Sequence, residues 1–387
     1  MAIYLDFNAT APLLASARAA WLAAQDSAWG NPSSIHASGQ QARHQLDQAK
    51  ARISALLGCR PAELIVTSGG SEANALAIHA ALAGIAAPAE ILASAIEHSS
   101  VLRNAERAAR VRRIGVDAEG RMLQDELVGA LTTQTRLVCI QFANNEVGTL
   151  QDAAILSARV RAQAPHARIL LDCCQGAGKK RIDLRSLDVD FASIAGHKFG
   201  APKGVGLLYA RTGVAVDALI AGGRQQQDRR SGSEDAAAVC ALAAALAESL
   251  AHAEAEDGRQ RALLEACWDG VHRVLPEARW LAAGAARLAN TMSLAHPGVV
   301  NEHLVARLDL AGFEVSTGAA CMAGRGEPSH VIAALGLERE LARSVIRISI
   351  GPQTTAEELA LFVAAYVREV RELVSVHPGP ASTGRDR

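Results

Sequence analysis

Five polar residues stand where a run of β-forming residues gives way to small ones. Ser71 follows "ELIVTSGG", His98 follows "EILASAIE", Asn145 ends "TRLVCIQFANN", Asp172 closes "ARILLD" and Lys198 follows "VDFASIAGH". Each has an ordinary alternative. Ser71 can cap the next helix, although Gly69 and Gly70 would also let backbone N–H groups approach a phosphate at a helix start. His98 reads equally as a loop histidine, and Asn145 as a turn former. Asp172 sits at the end of an apolar strand, where a carboxylate costs several kcal/mol unless a cation meets it, either in a salt bridge or as a protonated ring nitrogen. Lys198 is a surface lysine or an amine whose pKa is lowered by burial, and only the latter attacks carbonyls at neutral pH. The pair is more telling than either residue: an acid for a pyridinium and an amine for an aldehyde are what pyridoxal phosphate requires.

A sixth candidate, Cys321, lies in "STGAACMAGRGEPSH", among Gly318, Gly324 and Gly326 and beside Arg325, a setting that favours a thiolate. The alternative is an inert thiol. The other cysteines, 59, 139, 173, 174, 240 and 267, are scattered without metal-ligand spacing and read mostly as small buried hydrophobes.

The elements that must position these residues follow one grammar. Short apolar runs alternate with helical stretches, the pattern of a mostly parallel sheet covered by helices, an α/β class in which ligands bind beyond the carboxyl ends of the strands. "QARHQLDQAKARISALLG" has helical spacing and stops at Gly58. The Ala-rich stretch from about 240 to 275 reads as a connector into a second domain. We expect a large domain over 15–255, a smaller α+β domain from 1–14 plus 256–375, and a disordered tail over 376–387. At 387 residues, two domains are the default; half the residues are hydrophobic, and a net charge of −1 offers no basic face for nucleic acid or anionic lipid. The start, "MAIYLDFNATAPLL", lacks a targeting pattern, and no window reads as a membrane span, so the expectation is a cytoplasmic protein.

Taken together, the motifs resemble the cysteine desulfurases of the class V aminotransferase-like group of fold-type I pyridoxal-phosphate enzymes. The similarity runs through "IYLDFNATAP", "GNPSSIHASG", "TSGGSEANALAI", "EHSSV", "NNEVGTLQD", "LDCCQGAGK", "AGHKFGAPKGVG", "RRSGSED", "STGAACMAGRGEPSHV" and "SVIRISIG", in family order. The resemblance implies that Lys198 holds pyridoxal 5'-phosphate as a Schiff base and that Asp172 pairs with its ring nitrogen. His98 stacks on the ring and shuttles protons, Asn145 and Gln175 bond the 3-hydroxyl region or substrate, and Gly70, Ser71 and His197 hold the phosphate. Ser233 reaches the phosphate of the other subunit of a homodimer, Arg347 clamps the carboxylate of L-cysteine, and Cys321 takes the sulfur as a persulfide for an acceptor in iron–sulfur cluster assembly or tRNA thiolation. No metal is implied.

Three departures stand out: Ala195 replaces a usual serine, Cys173-Cys174 replaces a small residue and threonine, and the polar ending is shorter than that of members docking an iron–sulfur scaffold. A selenocysteine lyase, decarboxylase or transaminase of the same fold would share Lys198 and Asp172, and Cys321 argues for sulfur transfer. A non-catalytic binding partner would not need all five strand ends. "QGAGKKR" lacks the first glycine and final Ser or Thr of a P-loop.

Overall fold

The computed structural model describes residues 2–85, 88–318 and 328–376. A seven-stranded sheet runs in the order Leu64–Thr67, Gly206–Ala210, Phe191–Ala195, Arg168–Asp172, Thr135–Gln141, Glu90–Ser94 and Arg110–Ile114. Only Gly206–Ala210 is antiparallel to its neighbours. The central strands, such as "FASIA" and "EILAS", are buried at every residue, as strands covered on both faces must be. The mostly parallel, helix-covered sheet is therefore as the sequence reads, and it sets the carboxyl ends of the six parallel strands along one edge.

The strand–turn–helix units fall where the residue pattern puts them. Leu64–Thr67 leads through Gly69 into the helix Gly70–Leu82, and Glu90–Ser94 leads through His98 into the helix Ser99–Ala108. The helix Ala37–Leu56 ends before Gly58, whose φ of +64° is a left-handed value that a side chain would strain. The helix Ala236–Val274 is 39 residues long and is started by the Asp235 carboxylate, which accepts from Ala238 N–H at 2.9 Å. Its first half corrects one expectation: it is long and apolar enough to cross a membrane. Here it packs on the helices Ala15–Ser27 and Ala37–Leu56, with Leu242, Ala245 and Leu246 fully buried, as a core helix does.

A second core gathers Leu5, Leu264, Val271, Met292, Ile348, Phe362 and Tyr366 around the antiparallel strands Arg279–Leu281, Thr291–Ala295 and Ile346–Ser349 and the helix Ala356–Val376. The N-terminal segment joins the two cores. Ile3–Tyr4 pairs with Phe313–Glu314, Phe7 N–H reaches Ser349 O, and Ala11 N–H reaches His197 O at 2.9 Å. Residues 8–10 thus cross the strand end that carries Lys198.

Candidate active site

Asp172 ends its strand 3% exposed. Its Oδ1 accepts Cys174 N–H at 2.9 Å and its Oδ2 accepts Asn74 Nδ2 at 3.0 Å. No lysine, arginine or histidine forms an ion pair with it among the described residues. A buried carboxylate held only by neutral donors leaves a place for a cation that the chain itself does not supply. Asn74 continues the network: its Nδ2 also donates to Ser100 Oγ at 3.0 Å, and Ser100 Oγ lies 2.7 Å from His98 Nδ1. His98 Nδ1 accepts Ser100 N–H at 3.1 Å, so the neutral ring carries its proton on Nε2. Burial lowers the His98 pKa, with Asp172 opposing, which favours that neutral form.

Lys198 follows the neighbouring strand, Phe191–Ala195, and donates from Nζ to the carbonyls of Asn8 at 2.8 Å and Ala9 at 3.0 Å. Burial lowers its pKa and Arg347 adds to the effect, while Asp172 and Asp6 oppose it. The amine form is therefore more accessible than for a surface lysine. Lys179, half-buried, donates to Asn8 Oδ1 and Gln175 Oε1, both at 2.8 Å; burial and the charge on Lys198 hold its pKa well down. Gln175 also donates to Asn8 O at 2.8 Å, so both atoms of its amide are engaged by the protein. A cavity of about 370 Å³ reaches Lys198 from the side of the long helix, lined also by Lys179, Phe199 and Asn290. Asp172, His98 and Arg347 do not line it, so this cleft meets the strand-end cluster only at Lys198.

The start of the helix Gly70–Leu82 fits a phosphate. The first-turn N–H groups of Gly70 and Ser71 have no acceptor within the helix, and Ser71 is exposed. Gly69 has φ +153°, and a Cβ on Gly70 would come within 2.3 Å of Cys174 Sγ, so backbone lies bare where side chains would close the approach. His197 has Nδ1 3.2 Å from Thr10 Oγ1, and burial lowers its pKa to about 4, leaving a neutral ring. Burial beside Asp172 raises the Cys174 thiol well above its usual range, and Cys173 is raised likewise, so both remain protonated.

Arg347 comes from the second core, 3% exposed, and reaches across to the first. Nη1 donates to Asn145 O at 2.9 Å and Gly318 O at 3.3 Å, and Nη2 pairs with Asp6. Its Nε is buried with no partner among the described residues, which leaves a donor for a carboxylate. Asn145 Oδ1 accepts Gln141 Nε2 at 3.2 Å.

The fold thus brings Gly70, Ser71, His98, Asn145, Asp172, Gln175, His197, Lys198 and Arg347 to one sheet edge. Ser233 is exposed before the long helix and touches none of them among the described residues. Cys321 lies outside the described residues. Asn8, Asn74, Ser100 and Lys179 are not among the sequence-predicted site residues, although each is a polar residue inside one of the quoted motifs.

Asp172, Lys198 and the bare helix start together fit pyridoxal phosphate: a place for its ring nitrogen, an amine for its aldehyde and free N–H groups for its phosphate. Comparison with known proteins agrees. The model of the family Aminotransferase class-V matches residues 3–362. A cysteine desulfurase of Cereibacter sphaeroides is 36% identical over 97% of this chain and 97% of its own length. The cysteine desulfurase IscS of Dictyoglomus turgidum is 32% identical over 97% and 96%. A solved NifS-like protein superposes with a TM-score of 0.89 at 28% identity, covering 96% of this chain and 100% of that one. The chain belongs to the class-V aminotransferase family of pyridoxal-phosphate-dependent enzymes, among the cysteine desulfurases.

Proposed function

We propose that this enzyme converts L-cysteine to L-alanine, moves the sulfur to Cys321 as a persulfide, and delivers it to an acceptor in iron–sulfur cluster assembly or tRNA thiolation. The observation that carries the reading is the buried Asp172 carboxylate without a cation of its own, on the strand next to the one that presents Lys198. When bound, pyridoxal phosphate supplies an aldehyde for amines and a ring nitrogen that withdraws electrons.

The chain's own residues do the rest. Arg347 orients the substrate through its carboxylate, using the free Nε donor. Lys198 Nζ, its pKa lowered by burial, exchanges its carbonyl partners on Asn8 and Ala9 for the Cα proton of the substrate. His98 holds a proton at Nε2, the tautomer set by Ser100. The Cys321 thiolate attacks the substrate sulfur: an S–S bond forms, the Cβ–S bond breaks, and the electron pair left on carbon takes a proton to give the methyl group of alanine. The net change is L-cysteine plus Cys321 thiol to L-alanine plus Cys321 persulfide, with no external oxidant.

The same reading includes a large domain over 15–255 and a smaller one from 1–14 plus 256–375. It also includes a cytoplasmic homodimer in which Ser233 serves the phosphate site of the other subunit. The test is direct. Purified protein given L-cysteine and a thiol reductant should yield equal amounts of L-alanine and sulfide. Without reductant, mass spectrometry should find an added sulfur on Cys321. Lys198→Ala should lose the visible absorbance of the holoenzyme, whereas Cys321→Ala should keep it and make no alanine. Undiminished turnover by Cys321→Ala would replace this reading with a lyase that needs no thiol.

A further inference from the structure

The motif "QGAGKKR" is no P-loop, and its first lysine, Lys179, takes no part in the chemistry above. The turn after Asp172 brings that lysine back onto Gln175. Ala177 N–H bonds Cys173 O at 2.9 Å and Lys179 N–H bonds Gly176 O at 3.1 Å, so the chain winds as in a helical turn and side chains four residues apart meet.

The bonds that result leave the Gln175 amide one orientation. Lys179 Nζ donates to Gln175 Oε1 and to Asn8 Oδ1, both at 2.8 Å, and Gln175 Nε2 donates to Asn8 O at 2.8 Å. Rotated by 180°, the amide would set its oxygen against the Asn8 carbonyl oxygen and its N–H groups against those of Lys179. Asn8 is fixed in the same way. Its Oδ1 also accepts Asn290 Nδ2 at 3.1 Å, its Nδ2 donates to Thr291 Oγ1 at 2.8 Å and Asn145 O at 3.2 Å, and its N–H donates to Ser349 Oγ at 2.9 Å. Lys179 therefore ties the turn after Asp172 to a strap that the second core holds.

Gln175 Nε2 carries a second N–H, which has no acceptor among the described residues although the side chain is only 3% exposed. A buried donor without an acceptor is costly, so a ligand oxygen belongs there. Asn8 O accepts both Gln175 Nε2 and Lys198 Nζ, each at 2.8 Å, which puts the spare N–H beside the amine that takes the cofactor's aldehyde. In pyridoxal phosphate the ring carbon next to the one bearing the aldehyde carries an oxygen. We propose that Lys179 is a positioning residue: by occupying Gln175 Oε1 it turns the amide so that the spare Nε2 N–H donates to that ring oxygen. The proposal rests on the placement of pyridoxal phosphate on Lys198. Lys198 and Arg347 are the charged groups that act on Lys179, and Glu248, Glu256 and Asp257 line the cavity that it shares with Lys198, so a test has to separate its hold on the amide from its charge.

The test follows the visible absorbance of the substrate-free holoenzyme against pH. A donor on the ring oxygen favours the deprotonated Schiff base, in which that oxygen bears its charge unshared, so loss of the donor raises the midpoint. Gln175→Met should raise it by about one pH unit, a tenfold change in proton affinity for one hydrogen bond to a charged group. Lys179→Met should raise it by a similar amount, and the double variant should go no further than either single one, because Lys179 acts through Gln175. Shifts that add would overturn the proposal, since they would assign the effect of Lys179 to its charge. A wild-type midpoint in Gln175→Met would overturn it as well. Lys179→Arg keeps two donors at the tip of the side chain and should titrate as the wild type. It also carries the test if Lys179→Met takes up no cofactor: a midpoint as high as that of Gln175→Met would overturn the proposal. The titration needs no turnover, so a chain that makes no alanine or persulfide would refute the functional reading and leave these midpoints to decide on Lys179.

Discussion

Gly70 and Cys174 should be energetically coupled, and the structure gives the size of the coupling. A methyl group on Gly70 would come 2.3 Å from Cys174 Sγ, far inside the usual contact of about 3.5–4.0 Å. The obstacle is a side chain held against Ser193 and beneath the Asp172 turn, so it has little freedom to retreat. Overpacking of this kind costs about 1–3 kcal/mol, offset by about 0.5–1 kcal/mol from the lower chain entropy of alanine, so Gly70→Ala should lose about 1–2 kcal/mol. Cys174→Ala alone removes one partly buried atom and should lose about 1 kcal/mol. In the double variant the next neighbours of the new methyl are Ala195 Cβ at 3.5 Å and the β-carbon of residue 174 at 3.8 Å, both ordinary contacts. The methyl then fills the space the sulfur left. The double variant should therefore be within about 0.5 kcal/mol of the wild type, a coupling of about 2 kcal/mol. Urea unfolding of the four proteins at one cofactor concentration measures it. Additive losses would refute the reasoning, because they would mean that the thiol is not what makes glycine necessary at residue 70.

Three further outcomes follow from the site. Asp172→Asn should lower kcat/KM by about 10–100-fold, the loss of a charge-assisted hydrogen bond, without reducing the stability of the cofactor-free protein, because it removes a buried charge; full activity would show that the carboxylate has no cation to meet. Arg347→Lys should raise KM for L-cysteine about tenfold or more with a smaller change in kcat, since a lysine cannot replace the planar fork, and an unchanged KM would count against the clamp. Burial raises the Glu146 pKa from 4.5 to about 7 against the opposing effects of Ser329 and Arg347. A folded-state pKa above the unfolded one gives stability that is present below pH 4.5 and lost as pH rises through 7, so wild type should lose up to about 3 kcal/mol relative to Glu146→Gln between pH 5 and 8. A difference between the two that stays flat over that range would exclude it.

The repeating strand–turn–helix pattern was legible because it is local: apolar runs of the right length, broken by Gly69, His98 or Asp172, predict both the sheet and the edge at which its polar residues meet. The partners that tune those residues were not legible, because they come from afar. Asn74 meets Asp172 from 98 positions away, and Asn8 meets Lys198 from 190. Nothing in the type or spacing of an asparagine says that two lysines and a glutamine will converge on it. Gln175 shows the same limit from the other side, since its motif marks it for a ligand while the fold commits its amide to Asn8 and Lys179. The apolar half of the helix Ala236–Val274 likewise reads one way in isolation and another once two helices lie against it.

The stretch from Asp6 to Ala11 is a strap across the Lys198 amine. A protease that clipped the chain after residue 10 would spare the large sheet and its helices, yet it would strip Lys198 of both carbonyls, Lys179 of an acceptor and Arg347 of its carboxylate. Loss of those few residues should therefore leave the large sheet folded but the second core loosened and the amine misaligned, and tags or fusions at that end need slack enough not to tug on it.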